Sequence, residues 1–299
     1  MGVSKMKTNR IFLGLATGVF VLGMESVANA AIVGHWGFDE MSGATAFDSF
    51  GSVNGTLVGG AAFTTTGGVK GGSVQITNGY VTMGNNFPAT SSFSIEAWVK
   101  LNSGDVSGMT PVAKHWEGIM QGYFLAINDI YDGFTRQNTE GFYSANGPYH
   151  TAVGGPPIND GLWHQLVGVY DSGTTRIYVD GNLSGVGSAG YADNAAEFIV
   201  GGMFGSAGVP VNRFNGFIDE VGTYDSALSS IEIQEIYDRT LNSGAAVPEP
   251  GSMLLLGISI ASLIAARRRT GVESGGNQAP QLCRASAFAR QVSCNHAGL

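Results

Sequence analysis

The side chains in this sequence that could do chemistry are a few carboxylates and a set of aromatic rings. Retaining glycoside hydrolysis needs two carboxyl groups about 5–5.5 Å apart. Asp219 and Glu220 are adjacent, which on a strand sends them to opposite sides. Glu96 has no carboxylate two or four residues away on its own strand. His35, His115, His150 and His164 are scattered, with no His-Glu-x-x-His or Ser-His-Asp arrangement. His164, directly after Trp163 at a strand start, reads as structural. No catalytic residue is assigned, and the chain is expected not to be an enzyme. The aromatic rings offer more. Trp98 shares a strand face with Glu96, while Trp116, Tyr143 and Tyr149 fall in segments that read as loops. Aromatic faces beside hydrogen-bonding groups suit sugar rings. Glu96, Trp98, Trp116, Tyr143 and Tyr149 are therefore the candidate ligand-binding residues. For Trp98 the competing role is packing beneath a long loop, since tryptophan is mostly buried.

Composition limits what kind of chain positions these groups. Of 299 residues, 46 are glycine and 13% are charged. Glycine without a Gly-X-Y period argues for many short strands and tight turns rather than collagen. Between residues 31 and 246 there are 20 Asp/Glu against 7 Lys/Arg, a net of −13. Such an acidic stretch, without a basic patch, argues against nucleic acid as a partner. Both cysteines, Cys283 and Cys294, lie in the last stretch, so the central region must rely on its hydrophobic core, which its length allows.

The strand signals are clearest between Asp160 and Gly185. Trp163 opens a strand with an apolar centre from Leu166 to Tyr170, Asp171-Ser172-Gly173 is a turn, and Arg176 to Val179 is a second strand. Asp180-Gly181 is a hairpin signal into a third. Ile32 to Phe38 alternates as a half-buried strand, and residues 73–83 hold two short strands around Asn78-Gly79. From Phe93 to Lys100, Phe93, Ile95, Ala97 and Val99 point one way, and Ser94, Glu96, Trp98 and Lys100 the other. Gly122 to Asn128, Glu197 to Gly202 and Phe214 to Val221 are further strands; residues 131–158 read as a poor strand or two with long loops. Ser229-Ser230-Ile231-Glu232 fits a capping box before a short helix ending near Arg239.

The Trp-His strand followed by Ile-Tyr-Val-Asp-Gly resembles the central hairpin of laminin-G-like, concanavalin A-like domains. The Trp-x-Phe-Asp-Glu opening, the Phe-x-Ile-Glu-Ala-Trp-Val strand and the terminal Leu-Ser plus helix resemble the same family in the same order. The resemblance spans residues 31–241. It implies an all-β, two-sheet antiparallel jelly-roll sandwich with a short C-terminal helix. It also implies that a polysaccharide would lie on a concave sheet face, here the one carrying Glu96, Trp98 and Lys100, with residues 131–158 as roof or rim. The Glu-x-Asp-x-x-Glu pattern of the family's glucanases is absent. Relatives often hold one structural Ca²⁺ near the first and last strands, and the matching acidic positions are Asp39 and Asp219, with Asp48 a weaker third. Calcium prefers carboxylate and carbonyl oxygens.

The ends read as addresses. Lys5, Lys7 and Arg10, an apolar run from Ile11 to Met24 and Ala28-Asn29-Ala30 make residues 1–30 a secretory signal peptide. After a linker at 242–246, Val247, Pro248, Glu249 and Pro250 precede an apolar run, Met253 to Ala266, and then Arg267, Arg268 and Arg269. This tripartite segment, 247–269, resembles the PEP-CTERM sorting signal of Gram-negative bacteria, which implies an exosortase-type partner. The apolar run would pass transiently through the membrane, with the arginines held on the cytoplasmic side. Residues 270–299 read as a disordered tail. The expectation is a secreted, envelope-sorted binding module for extracellular polysaccharide or glycoprotein. A structural matrix protein is the alternative, and a divergent glycosidase or lyase the outlying one.

Overall fold

The computed structural model describes residues 30–88, 91–128, 139–146 and 150–242. In chain order the strands are β1 (Ile32–Trp36), β2 (Thr45–Ala46), β3 (Gly55–Thr64), β4 (Ser73–Thr82), β5 (Ser92–Leu101), β6 (Val112–Trp116), β7 (Gln121–Ile127) and β8 (Glu140–Asn146). They continue as β9 (His150–Gly154), β10 (Trp163–Asp171), β11 (Thr174–Val179), β12 (Asn182–Ser188), β13 (Ile199–Val200), β14 (Met203–Phe204), β15 (Pro210–Val211) and β16 (Asn215–Tyr224), followed by helix α1 (Ser230–Leu241). Hydrogen bonding runs β12-β11-β10-β5-β16-β4-β13-β6-β7-β8-β9, with β1 added to β16 and β3 to β4. The two ends of this order meet face to face, β10 and β11 against β8, and β12 against β9. The ribbon of strands is thereby folded into two layers, the expected jelly-roll sandwich. The core between them takes Phe93, Ile95 and Val99 of β5 and Leu166 and Ile177 of the central hairpin. Leu125, Ile127 and Phe142 of β7 and β8 complete it.

Local chemistry explains the clearest elements. Asp180 and Gly181 both have positive φ, 50° and 75°, the requirement of a two-residue type I′ turn, and β11 and β12 pair across it. Ser229 caps α1: its hydroxyl accepts the Glu232 N–H, and the Glu232 carboxylate accepts the Ser229 N–H. Three expectations need correcting. Asn78-Gly79 is not a break between two strands. Asn78 (φ 59°) sits inside the single strand β4, where the register with β3 shifts between Gly59 and Ala61; a bulge uses the same residue types as a hairpin turn. Of the strand expected over Glu197 to Gly202, only Ile199–Val200 is strand. Tyr143 lies within β8, not in a loop. The expected signal peptide up to Asn29, Tyr149, the linker, the sorting signal and the tail lie outside the described residues. No helix among the described residues is long and apolar enough to cross a membrane.

Candidate functional site

The alternation of β5 holds, but its second face is not open. Trp98 is 1% exposed. Its indole lies parallel to the Tyr237 ring of α1, with centroids 5.4 Å apart and planes 10° apart. Glu96 is buried beside it. Gln165 Nε2 donates to Glu96 Oε1 at 2.7 Å, and the Tyr224 hydroxyl donates to Oε2 at 2.8 Å. Burial pushes the Glu96 carboxyl above its usual range, partly offset by these two donors. The face expected to receive a glycan is thus roofed by the C-terminal helix, which Val167, Val169 and Leu228 help to seat around Ile233. Tyr143 is equally closed off: it is fully buried on the outer face of β8, stacked on Phe124 at 4.5 Å.

The acidic positions divide. Asp48 is saturated by the backbone. Its Oδ1 accepts the N–H groups of His35, Phe50 and Gly51, and its Oδ2 that of Val53. These bonds hold its pKa low against the effect of burial. It organises its own loop and has little left for a metal ion. Asp39 and Asp219 do come together. The loop through residues 68–72 bonds both: Gly72 N–H donates to Asp39 Oδ1 at 2.7 Å, and Lys70 N–H to Asp219 Oδ2 at 3.2 Å. Glycine is required here, because a Cβ at Gly71 would lie 2.2 Å from Asp39 Oδ1.

Glu220 joins them, against the expectation that adjacent strand residues diverge. It has φ 45°, and the β16–β5 register shifts between Asp219 and Gly222. Its Oε2 lies 3.7 Å from Lys70 Nζ and 3.2 Å from His35 Nε2. Burial, reinforced by the Glu220 and Asp39 carboxylates, pushes Asp219 up to about 8. Hard oxygen donors around a carboxyl that cannot easily ionise alone fit a calcium ion. No cluster of three or more His, Cys, Asp or Glu positioned to hold a metal occurs among the described residues, so backbone oxygens would have to complete the shell.

His164 is held between two carboxylates, with Nδ1 2.8 Å from Asp180 Oδ2 and Nε2 3.1 Å from Asp160 Oδ1. Burial alone would lower its pKa, but the two partners outweigh it and raise it. Both ring nitrogens are engaged at the foot of the central hairpin, which is the structural role expected of it.

Among the described residues, Trp116 is the ligand-binding candidate that keeps part of its surface exposed. It ends β6 and forms a parallel bridge to Phe204 of β14. With Ala195, Ala196, Glu197 and Gly208, these two rings line a recess of about 180 Å³. Tyr80 stands edge-on to Phe204 at 6.4 Å. Glu197 Oε2 accepts the Thr82 hydroxyl. The indole N–H of Trp116 is buried, without an acceptor among the described residues. Lys114, two residues before Trp116 and fully buried, ties down one wall: its ammonium donates to Asn85 Oδ1 and to the carbonyls of Asn194 and Ala196 at 2.8–3.0 Å. Sequence reading found Trp116 and missed Phe204, Glu197 and Lys114, because a parallel bridge between distant segments leaves no local pattern. A larger cavity, about 500 Å³, opens between Val33, Phe87, Phe93, Tyr123 and Tyr224. Its polar groups are already committed, Ser94 to Ser226 and Leu228, and Tyr224 to Glu96, so it presents mainly hydrocarbon.

A two-layer antiparallel sandwich with its C-terminal strand paired to its first defines a class, and comparison with known proteins assigns it. The chain belongs to the concanavalin A-like lectin/glucanases superfamily, whose family model matches residues 71–234. Residues 246–269 match the PEP-CTERM protein-sorting motif, which implies export and sorting to the bacterial cell envelope. A curated relative, the rat (Rattus norvegicus) sushi, von Willebrand factor type A, EGF and pentraxin domain-containing protein 1, is 27% identical over 167 residues. The match covers 53% of this chain and only 4% of that protein. Domain 4 of AbnA, a GH43 extracellular arabinanase from Geobacillus stearothermophilus solved with arabinotriose, superposes with a TM-score of 0.52 at 19% identity. It covers 70% of this chain and 99% of that domain. The binding domain of Paraclostridial Mosquitocidal Protein 1 gives 0.54 at 15% identity, covering 69% of this chain and 52% of that one. At these identities the two structures share the fold.

Proposed function

We propose that this chain is an exported, envelope-sorted and non-catalytic module that binds extracellular polysaccharide, or the glycan of a glycoprotein, at the Trp116 recess. The observation that carries the reading is the recess itself. Two aromatic rings and a carboxylate with hydrogen-bonding capacity border a space of about 180 Å³, while the face of Glu96 and Trp98 is closed. A sugar ring presents apolar C–H groups to an aromatic face and hydroxyls to the polar rim. The superposed structures include a domain of an arabinanase seen with arabinotriose and a toxin binding domain, which supports a binding role for this scaffold. The sorting motif would be read by an exosortase-type enzyme of a Gram-negative host.

Calorimetric titration with polysaccharide from the producing cell tests this. Trp116→Ala should weaken binding at least tenfold, about 1.4 kcal/mol, with stability changed by roughly 1 kcal/mol or less. Binding that survives Trp116→Ala would place the site elsewhere. No binding to any glycan would favour a structural matrix protein.

A calcium ion held by Asp39 and Asp219 with backbone oxygens, and without Asp48, belongs to the same reading. Its part would be to hold the 68–72 loop against β1 and β16. Calcium at a hundredfold excess over Kd should stabilise the fold by about 2.7 kcal/mol, read as a higher Tm than in chelator. Asp219→Ala should abolish that difference. Superimposable wild-type melting curves would exclude the ion.

A further inference from the structure

The walls of the Trp116 recess carry charge in an uneven way. Glu197 uses one carboxylate oxygen on Thr82, and its Oε1 takes no hydrogen bond among the described residues. Glu117, on the turn after β6, accepts the Ser206 N–H at 3.3 Å through Oε2, and that oxygen lies beside Gly205. The cation in the neighbourhood, Lys114, is withdrawn from the recess: it is fully buried, bound to three oxygens and 3.3 Å from Asp193. Asp193 pairs with Lys114, and among the described residues Glu197 and Glu117 form no ion pair. The region 31–246 is itself acidic, 20 carboxylates against 7 basic residues.

We propose that this recess is a single-ring subsite selective for a cationic amino sugar, with Glu197 as its specificity-determining residue. The inference rests on the glycan reading of the same recess. A space of about 180 Å³ bordered by Ala195, Ala196 and Gly208 matches one sugar ring in size. The ring's apolar face lies on Trp116, and an ammonium substituent at its edge donates to Glu197 Oε1 while remaining near the indole face, which also attracts cations. A uronic acid in the same pose sets carboxylate against carboxylate in a partly dehydrated site, an arrangement that disfavours binding. A neutral hexosamine with an acetylated nitrogen keeps the stacking and loses the charge-assisted bond.

The test is a set of titrations of the full mature chain with three defined trimers, at low and high salt. They are a glucosamine trimer, at a pH that keeps its amines protonated, an N-acetylglucosamine trimer and a galacturonate trimer. The glucosamine trimer should bind about tenfold more tightly than the acetylated one, as a charge-assisted hydrogen bond implies. The galacturonate trimer should bind more weakly still, and the spread should narrow at high salt. Glu197→Gln retains an acceptor for Thr82; it should erase the preference, bringing the glucosamine and acetylated trimers to similar affinities. Trp116→Ala should weaken all three. Equal affinities in the wild type, a preference for the acidic trimer, or a preference that survives Glu197→Gln would overturn the assignment while leaving glycan binding intact. Failure of every trimer and of host polysaccharide to bind would remove the glycan reading and this inference together.

Discussion

Trp98→Ala should destabilise the domain by about 3–5 kcal/mol, the range for emptying a buried aromatic site. Trp98 touches solvent with 1% of its surface and is sandwiched between β5 and the Tyr237 ring. Its removal opens a void between sheet and helix and takes away the ring on which α1 rests. The helix has few other anchors, with Ile233 and Thr240 its buried residues. Protection of the α1 amides in hydrogen exchange should therefore fall together with global stability in urea unfolding. Trp116→Ala is the internal contrast, expected to change binding and not stability. A loss below about 1 kcal/mol for Trp98→Ala would mean that the helix does not bear on the sheet as described.

Stability should also fall as pH rises from mildly acidic to mildly alkaline, by on the order of a few kcal/mol. Glu140 and Asp219 are the two main reasons. Glu140 starts β8 with its side chain fully buried, and neither carboxylate oxygen has a side-chain or backbone partner from another of the described residues. Burial pushes its pKa from 4.5 up to about 8. The unfolded chain gives up this proton near 4.5, and the folded chain keeps it until about 8. Between those values the folded state binds more protons, so stability is fully present below 4.5 and is lost as pH rises through 8. His164, with its pKa also raised, acts in the same sense above its ordinary 6.5. Asp48 and Asp160, with lowered pKa values, act oppositely and lose their contribution only in strong acid. Urea midpoints from pH 5 to 9 should decline in the wild type and decline less in Glu140→Gln. Asp219 supplies a separate part of the slope. A Glu140→Gln profile as steep as the wild type would show that Glu140 is ionised in the folded state.

What could be read from the sequence was what neighbours along the chain decide. The type I′ hairpin is fixed by Asp180 and Gly181 alone, the helix start by Ser229 and Glu232, and the inward row of β5 by alternation. What could not be read depends on distant partners. Alternation correctly sent Glu96 and Trp98 away from the core, but only the return of α1 decides whether that side meets water. The Asp219-Glu220 pair looked divergent because a bulge at Glu220 has no signature among its neighbours; the expected third acid, Asp48, spends its oxygens on its own loop. Trp116 was visible as an aromatic in a segment that read as a loop, although it ends strand β6, whereas its partner Phe204 and the neighbouring wall of Ala195, Ala196 and Glu197 arrive from another part of the chain.

The pairing of the first strand with the last has a mechanical side. Ile32, where β1 begins, lies opposite Tyr224, where β16 ends, so the first strand starts and the last strand finishes at the same end of one antiparallel ladder, with α1 following β16. A tension applied across these two residues, once it had drawn α1 off the sheet, would open that ladder like a zipper, one hydrogen bond at a time, and would meet little resistance. A load entering through one end alone and leaving through a bound ligand follows another path and does not pull these two strands apart. A domain with this layout suits a surface position at which it hangs from a single attachment. It is poorly suited to serve as a link in a chain stretched from both sides.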